Sequence, residues 1–285
     1  MIVNNTKEII DSYSVKPRKE YGQNFIINKN ILEKITSIAN VNSEDCVIEI
    51  GPGLGSLTEM LCLKAKKVVC YEIDKNMVLI LQDTLKKYNN VTIVEGDFLK
   101  QDVEKDIKNY FSDSKSVKVV ANLPYYITSP IIFKLLQIQE ISSITYMVQK
   151  EFGDRFVGLV GSKDYGALTV LMNYYTDTSK CFLVGKNNFY PIPNVDSVVL
   201  QSIRNKKNLN IRYEAKFLGF IRAIFSQRRK TLVNNINSFY NLPKIALSEK
   251  LIELDFNPNI RSEELSLNEI STIYCSLFEG DDQKW

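Results

Sequence analysis

The sequence contains no histidine among its 285 residues. This absence excludes Ser-His-Asp hydrolysis, Cys-His proteolysis and acid–base schemes that use an imidazole. The five cysteines are scattered and form no C-x-x-C pair, so a zinc site of the usual kind is nearly excluded and we expect no metal. Such cysteines are typical of reduced thiols buried as small hydrophobic residues in a cytosolic protein.

Long apolar runs are missing as well. The first residues lack the apolar stretch of a signal peptide, and no later run approaches the roughly 20 apolar residues of a membrane span. Hydrophobic residues at 45% and charged residues at 24% are ordinary for a globular protein. We therefore expect a soluble, cytoplasmic protein without a membrane segment. Its net charge of +3 by itself indicates little about its partners.

Alternating strand and helix patterns run to about residue 205. Five short apolar runs predict strands: 46–50, 67–73, 91–97, 118–124 and 143–150. Helical spacing between these runs predicts an α/β fold, with a mostly parallel sheet and helices on both faces. Two later runs, 181–193 and 196–204, predict further, antiparallel strands.

The pattern changes after Asn205. Helical spacing covers 216–240, 244–254 and 266–278, and no strand pattern separates these segments. The sequence therefore predicts a first domain over residues 1–205 and a small all-α domain over residues 206–285.

A glycine cluster follows the first predicted strand. Gly51, Gly53 and Gly55 lie where open α/β sheets bind ligands, and glycine lets the backbone pass close to a ligand. Their spacing does not fit the G-x-G-x-x-G dinucleotide motif, which argues against a nicotinamide-dependent oxidoreductase. The next two strands end near Glu72, placed for ribose hydroxyls, and Asp97, placed for an adenine amine. The alternative to a ligand site is a glycine-rich turn that binds no ligand, with Glu72 and Asp97 as solvated loop residues.

The fourth predicted strand ends in Asn122-Leu123-Pro124-Tyr125. This segment resembles the (D/N/S)-(P/I/L)-P-(Y/F/W) motif of the amino-methyltransferases, which holds the nitrogen to be methylated. An adenine N6 lone pair is delocalised into the ring and is a poor nucleophile. The Asn122 side-chain oxygen and the Leu123 carbonyl can accept hydrogen bonds from the two N–H groups of the adenine amine. These bonds favour a more pyramidal nitrogen. Pro124 stiffens the loop, and Tyr125 can stack on the base.

Further segments resemble the KsgA/RsmA family of small-subunit rRNA adenine dimethyltransferases. Residues 19–26 are similar to its K-x-x-G-Q-N-F-L segment, which lies over the cofactor. Residues 189–197 are similar to its F-x-P-x-P-x-V-D-S segment, whose first aromatic, Phe189 here, faces the flipped base. Three more segments match, so the resemblance spans nearly the whole chain: 147–151, 161–166 and 225–232. Two departures are Ile26 for the usual leucine, tolerable for a backbone contact, and Asn194 for a common lysine, which could weaken one RNA contact.

The resemblance implies a Rossmann-like class I methyltransferase domain with S-adenosylmethionine as methyl donor. It implies dimethylation of two adjacent adenines in the 3′-terminal hairpin loop of 16S rRNA in the small ribosomal subunit, a role in subunit biogenesis, and a monomer. The cofactor contacts it implies are Asn24, Ile26, Gly51, Glu72, Asp97 and Asn122.

Base chemistry in a structured RNA requires the target to be unstacked and held in a pocket. Tyr125 and Phe189 on opposite faces of the base would form a stacking sandwich, each contact worth roughly 1–3 kcal/mol. Basic residues concentrate near the domain junction and predict a phosphate-facing surface, although a solvated helix face is the alternative. The RNA-binding residues we assign there are Arg222, Arg228, Arg229 and Lys230.

Several other functions stay open. An Erm-type enzyme would methylate one large-subunit adenine, but Leu123 and the Gln-Arg-Arg-Lys helix at 227–230 favour the KsgA side. A DNA adenine methyltransferase would usually carry an acidic first residue in the amine-binding motif. A non-catalytic assembly factor would bind the maturing small subunit. The presence of every predicted catalytic residue argues against such a dead enzyme, though not against a second role.

Overall fold

The computed structural model describes residues 6–111 and 116–279, apart from the side chain of Lys19. Its strands are β1 (Phe25–Ile26), β2 (Cys46–Ile50), β3 (Lys67–Glu72), β4 (Val91–Glu95), β5 (Val117–Asn122), β6 (Ile141–Gln149), β7 (Thr176–Val184), β8 (Phe189–Tyr190) and β9 (Ser197–Arg204). Its first six α-helices are α1 (Thr6–Ser12), α2 (Lys29–Ile38), α3 (Ser56–Cys62), α4 (Lys75–Thr84), α5 (Val103–Tyr110) and α6 (Thr128–Gln137). The later ones are α7 (Lys150–Asp154), α8 (Ala167–Tyr175), α9 (Glu214–Ile224), α10 (Leu232–Tyr240), α11 (Lys244–Glu253) and α12 (Leu267–Phe278).

Seven strands form one sheet in the order β4-β3-β2-β5-β6-β9-β7. The first five of these are mutually parallel, and β9 runs antiparallel to β6. Every residue of β2 is buried, as expected for a strand covered on both faces. This topology confirms the predicted α/β fold with its mostly parallel sheet. Among the described helices, none is long and apolar enough to cross a membrane.

The strand order reverses at β2. The chain moves outward from β2 through β3 to β4, and then returns to β5 on the other side of β2. The connections after β2 and after β5 therefore leave the sheet in opposite directions and open a crevice at the carboxyl ends of these strands. Open α/β sheets bind their ligands at such a reversal.

A second, two-stranded sheet pairs β1 with β8. Phe25 lies opposite Tyr190, and Ile26 lies opposite Phe189. Because side chains alternate along a strand, this register turns the ring of Phe189 into the core, where it is 1% exposed, and leaves Tyr190 44% exposed. The sequence did not predict this pairing, since strands of two residues carry no periodic pattern.

The described chain divides into two compact units. One runs to Gly153 and resumes over Ser179–Arg204; the other contains Asp154–Thr178 and continues from Asn205. The structure thus places Asp154–Thr178, which the sequence assigned to the first domain, in the helical unit. The reason is packing, because α8 contacts both α9 and α12, and the ring of Tyr174 meets that of Phe217 edge-on at 5.5 Å.

The single helix predicted over 216–240 is wrong, because two helices cover this range. Helix α9 ends at Ile224, and the Thr231 side chain caps α10 by accepting from the backbone N–H of Asn234. The buried Asn235 side chain donates to the carbonyls of Ile224 (2.7 Å) and Gln227 (3.2 Å). These bonds tie the loop between α9 and α10 to the first turn of α10. The Gln-Arg-Arg-Lys segment at 227–230 is therefore a loop between helices.

Candidate active site

A cavity opens at the carboxyl ends of β2 to β5. Its walls are the turn after β2, the end of β3, the turn after β4, the loop after β5 and the segment around β1. Nine of the predicted site residues line it together: Asn24, Ile26, Gly51, Glu72, Asp97, Asn122, Leu123, Pro124 and Tyr125. The reversal of strand order explains this convergence of distant segments.

The turn after β2 is tied to the end of β3. The backbone N–H of Gly53 donates to Glu72 Oε2 at 3.0 Å, and that of Asp74 donates to Oε1 at 2.8 Å. Gly53 has a φ of +57°, and a Cβ there would lie 3.0 Å from the Phe25 ring. Glycine is therefore required both for the left-handed backbone and for the close approach of β1.

Two buried carboxyl groups face the cavity from β2 and β3. Glu49 is 1% exposed, and its Oε2 atom has no hydrogen-bond partner among the described residues. Burial raises the pKa of the Glu49 carboxyl to about 8, and burial also raises the pKa of Glu72. A cation entering the cavity would favour the charged form of both groups. S-adenosylmethionine, with its sulfonium and ammonium, fits this wall.

The turn after β4 also lines the cavity. Asp97 begins a 3-10 turn (Phe98–Lys100), and its side chain accepts from the backbone N–H of Leu99 at 3.0 Å. The buried ring of Phe98 meets that of Tyr71 edge-on at 5.2 Å. The position of Asp97 is thus set both by its own cap and by packing of the residue beside it.

The loop after β5 carries the predicted amine-binding residues. The Asn122 side-chain nitrogen donates to the Asn24 carbonyl at 3.1 Å, so its side-chain oxygen stays the acceptor of this amide. The backbone N–H of Leu123 donates to the Met147 carbonyl at 3.2 Å, and the Thr128 hydroxyl donates to the Pro124 carbonyl at 3.0 Å. The loop is therefore held from both neighbouring elements, β6 and α6.

Two adjacent tyrosines contribute aromatic surface to the cavity. The Tyr125 hydroxyl and the Ser197 hydroxyl form a hydrogen bond of 2.8 Å, which fixes the orientation of the tyrosine ring. Burial raises the pKa of the Tyr125 hydroxyl. Tyr126 also lines the cavity and is 56% exposed. Sequence reasoning did not single out Tyr126, although the Tyr-Tyr pair directly after the motif was the available signal.

The structure does not bring Phe189 to the cavity wall. Its side chain belongs to the buried core cluster that also contains Ile26, Leu32 and Val184, so the structure does not bring it to the cavity beside Tyr125. The pairing of β8 with β1 turns this ring inward. A sequence motif places the residue near the site but does not determine which side of a two-residue strand it occupies.

The four predicted RNA-binding residues lie in the helical unit and are exposed: Arg222, Arg228, Arg229 and Lys230. The guanidinium of Arg228 is already engaged, because it donates to the carbonyls of Ser162 (2.9 Å) and Lys163 and lies 3.8 Å from the Glu263 carboxylate. Arg204, in the same basic stretch, donates to carbonyls at and beyond the end of α6, including that of Leu136 at 2.9 Å. A count of basic residues therefore overstates the number of side chains that this surface offers to RNA phosphates.

Comparison with known protein families finds one model that matches residues 14–274, described as ribosomal RNA adenine dimethylase. Among curated proteins, ribosomal RNA small subunit methyltransferase A of Bacillus mycoides is 42% identical over 279 residues, covering 96% of each chain. The protein of the same name from Bacillus cereus strain B4264 gives the same identity and coverage. The matched range includes every predicted site residue.

Solved structures give the same result for the fold. A dimethyladenosine transferase from Plasmodium falciparum superposes with a TM-score of 0.76 at 30% identity, covering 88% of this chain and 96% of that one. The 23S rRNA methyltransferase ErmE superposes with a TM-score of 0.66 at 23% identity, over 89% of this chain and 99% of its own. At that lower identity the second likeness extends to the fold alone.

Proposed function

This chain belongs to the ribosomal RNA adenine dimethylase family and is an S-adenosylmethionine-dependent rRNA methyltransferase, and from that premise we propose that it dimethylates two adjacent adenines in the 3′-terminal hairpin loop of 16S rRNA. It does so on the small ribosomal subunit in the cytoplasm, as a monomer, and contributes to subunit biogenesis. The names of the Bacillus relatives support the choice of the small subunit.

The observation that carries this proposal is the joining of two half-sites in one cavity. The turn at Gly51 to Gly53, with Glu72 and Asp97, forms one half, and the loop at Asn122 forms the other. Bound S-adenosylmethionine supplies a sulfonium-activated methyl group. Among the protein groups, Asn24, Ile26, Gly51, Glu72 and Asp97 hold the cofactor.

The residues of the loop after β5 act on the target base. The Asn122 side-chain oxygen and the Leu123 carbonyl accept hydrogen bonds from the two N–H groups of the adenine amine and orient its lone pair. Pro124 limits loop motion, and Tyr125 stacks on the base, with its hydroxyl tied to Ser197. Catalysis then rests on positioning, and the methylated nitrogen gives its proton to solvent water after attack. No imidazole is needed in this scheme. The exposed Arg222, Arg229 and Lys230 of the helical unit contact RNA phosphates.

Methyl transfer from labelled S-adenosylmethionine tests the proposal on two substrates: small subunits from a strain lacking the two dimethyladenines, and protein-free large-subunit rRNA. We expect dimethyladenine in the small subunit alone. Asn122→Ala should lower the rate at least about 100-fold, because it removes an acceptor used on the amine. Label in the large-subunit RNA alone would assign the Erm-type reaction, and no label in either would indicate a binding factor.

A further inference from the structure

A lysine on α6, Lys134, contacts the turn at residues 97–101, which we call the adenine-side turn because Asp97 is assigned to the cofactor adenine. The Lys134 ammonium donates to the backbone carbonyls of Phe98 (2.9 Å), Leu99 (2.9 Å) and Gln101 (2.5 Å). An ammonium has three donor hydrogens, so one side chain commits all of them to one short segment. That segment begins at Asp97.

The turn also has hydrogen bonds of its own, including the one from the Leu99 backbone N–H to the Asp97 side chain at 3.0 Å. Within it, the backbone N–H of Lys100 donates to the Asp97 carbonyl at 2.9 Å, and that of Gln101 donates to the Phe98 carbonyl at 3.2 Å. The residue before it, Gly96, has a φ of +141°, which favours glycine, and its backbone N–H donates to the Glu72 carbonyl at 2.8 Å. The Lys134 ammonium adds a second donor to the Phe98 carbonyl and also bonds the carbonyls of Leu99 and Gln101, so it ties the two ends of the turn together.

The same lysine also contacts the ring beside Asp97. Its ammonium lies 5.3 Å from the centroid of the Phe98 ring, within the range of a cation–π contact. Backbone and ring of Phe98 are thus held by one side chain. Movement of Lys134 would release both restraints on the residue that follows Asp97.

Helix α6 connects this contact to the other half of the site. At its first residue, the Thr128 hydroxyl donates to the Pro124 carbonyl at 3.0 Å, and Lys134 lies in its last turn. One rigid helix of 10 residues therefore anchors the amine-binding loop at one end and the adenine-side turn at the other.

We propose that Lys134 is a positioning residue of the cofactor site, which holds the turn at 97–101 so that Asp97 meets the exocyclic amine of the cofactor adenine. The role rests on the assignment of Asp97 to the cofactor in the proposed function. Lys134 itself does not line the cavity, and it acts through the turn.

Lys134→Met tests this role by removing the donors while keeping an unbranched chain of similar length. We expect the Kd of S-adenosylhomocysteine and the KM of S-adenosylmethionine to rise about tenfold, with kcat at saturation within about twofold. The preference for S-adenosylhomocysteine over S-inosylhomocysteine, which has an oxygen in place of the amine, should shrink. Calorimetry and methyl-transfer kinetics measure these quantities.

Lys118→Met is the matched control. The Lys118 ammonium donates to the Asn40 carbonyl (2.6 Å) and to Asp45 (2.8 Å), away from the residues that line the cavity. Its replacement should lower the melting temperature without changing either Kd. If Lys134→Met behaves in the same way, Lys134 is a structural residue and the proposal is overturned.

Asp97→Asn separates the proposal from its premise. We expect it to lose the preference for the amine-bearing ligand, because an amide can donate to the oxygen of the inosyl analogue. If Asp97→Asn keeps the wild-type preference, the assignment of Asp97 fails and the role of Lys134 fails with it. If Asp97→Asn loses the preference and Lys134→Met keeps it, only the role of Lys134 is overturned.

Discussion

At the scale of single residues, the cavity is defined by acids that are buried before any ligand contacts them. Glu49 is buried, and its Oε2 atom has no hydrogen-bond partner in the described part of the chain, whereas Glu72 accepts hydrogen bonds from two backbone N–H groups. Both have raised pKa values because burial disfavours the charged form. The Glu49 carboxyl is therefore largely protonated at neutral pH in the ligand-free cavity, and a bound cation would favour its charged form.

Glu49→Gln should remove a pH dependence of stability. Burial raises the pKa of Glu49 from an ordinary 4.5 to about 8, so between these values the folded state binds more protons than the unfolded state. The ligand-free protein should therefore lose stability as pH rises from about 5 to 8, by up to about 1.4 kcal/mol per pH unit. Urea unfolding at several pH values measures this loss.

The glutamine variant keeps the shape of the side chain but cannot ionise, so its stability should fall less over the same range. Glu44→Gln, at an exposed position in the same part of the chain, serves as control and should follow the wild type. Parallel loss of stability in wild type and Glu49→Gln would contradict the ionisation of Glu49 as the cause.

At the scale of elements, the site is made of turns whose geometry depends on the strands they join. The turn after β2 needs left-handed backbone at Gly51, Gly53 and Gly55. The sequence predicted this turn from its glycine cluster, because glycine alone adopts this conformation without cost. The contact of Gly53 with Phe25 depends on β1, which the sequence did not predict.

Gly53→Ala should weaken cofactor binding. The substitution costs about 1–2 kcal/mol for left-handed backbone and adds a Cβ 3.0 Å from the Phe25 ring. We expect the Kd of S-adenosylhomocysteine to rise about tenfold, because the ring and the turn move apart. Calorimetry gives the Kd, and urea unfolding gives the stability loss.

Gly161→Ala is a control for backbone strain alone. Gly161 has a φ of +81°, and a Cβ there would meet nothing within 4 Å. It should lose comparable stability and keep wild-type affinity for S-adenosylhomocysteine. Equal affinity losses in the two variants would show that strain, rather than the contact with Phe25, governs binding.

At the scale of the whole molecule, the small net charge of +3 means that RNA binding depends on where cations are exposed and unengaged. Arg229 and Lys230 are exposed in the loop between α9 and α10. The adjacent Arg228 holds the carbonyls of Ser162 and Lys163 within the helical unit. Neighbouring cations of one motif are thus expected to have different functions.

Arg229→Ala should weaken RNA binding and leave stability within about 0.5 kcal/mol of wild type. The slope of log affinity against log salt should fall by about 1, the effect of one lost phosphate contact. Arg228→Ala should instead cost about 1 kcal/mol of stability, because the exposed carbonyls of Ser162 and Lys163 lose their donor and water replaces it only in part. Filter binding at several salt concentrations and thermal melting separate the two. A stable Arg228→Ala variant with reduced salt slope would contradict this division.

The sequence by itself determined the five parallel strands with helices between them, the glycine turn and the loop at Asn122, because each is a local pattern of periodicity or backbone preference. Only the tertiary structure decided that Phe189 is buried, that β1 pairs with β8 and that Lys134 holds the turn after Asp97. It also decided that Asp154–Thr178 belongs to the helical unit. These features are contacts between segments far apart in the chain, and burial and pairing arise only when the strands take their places in the sheet.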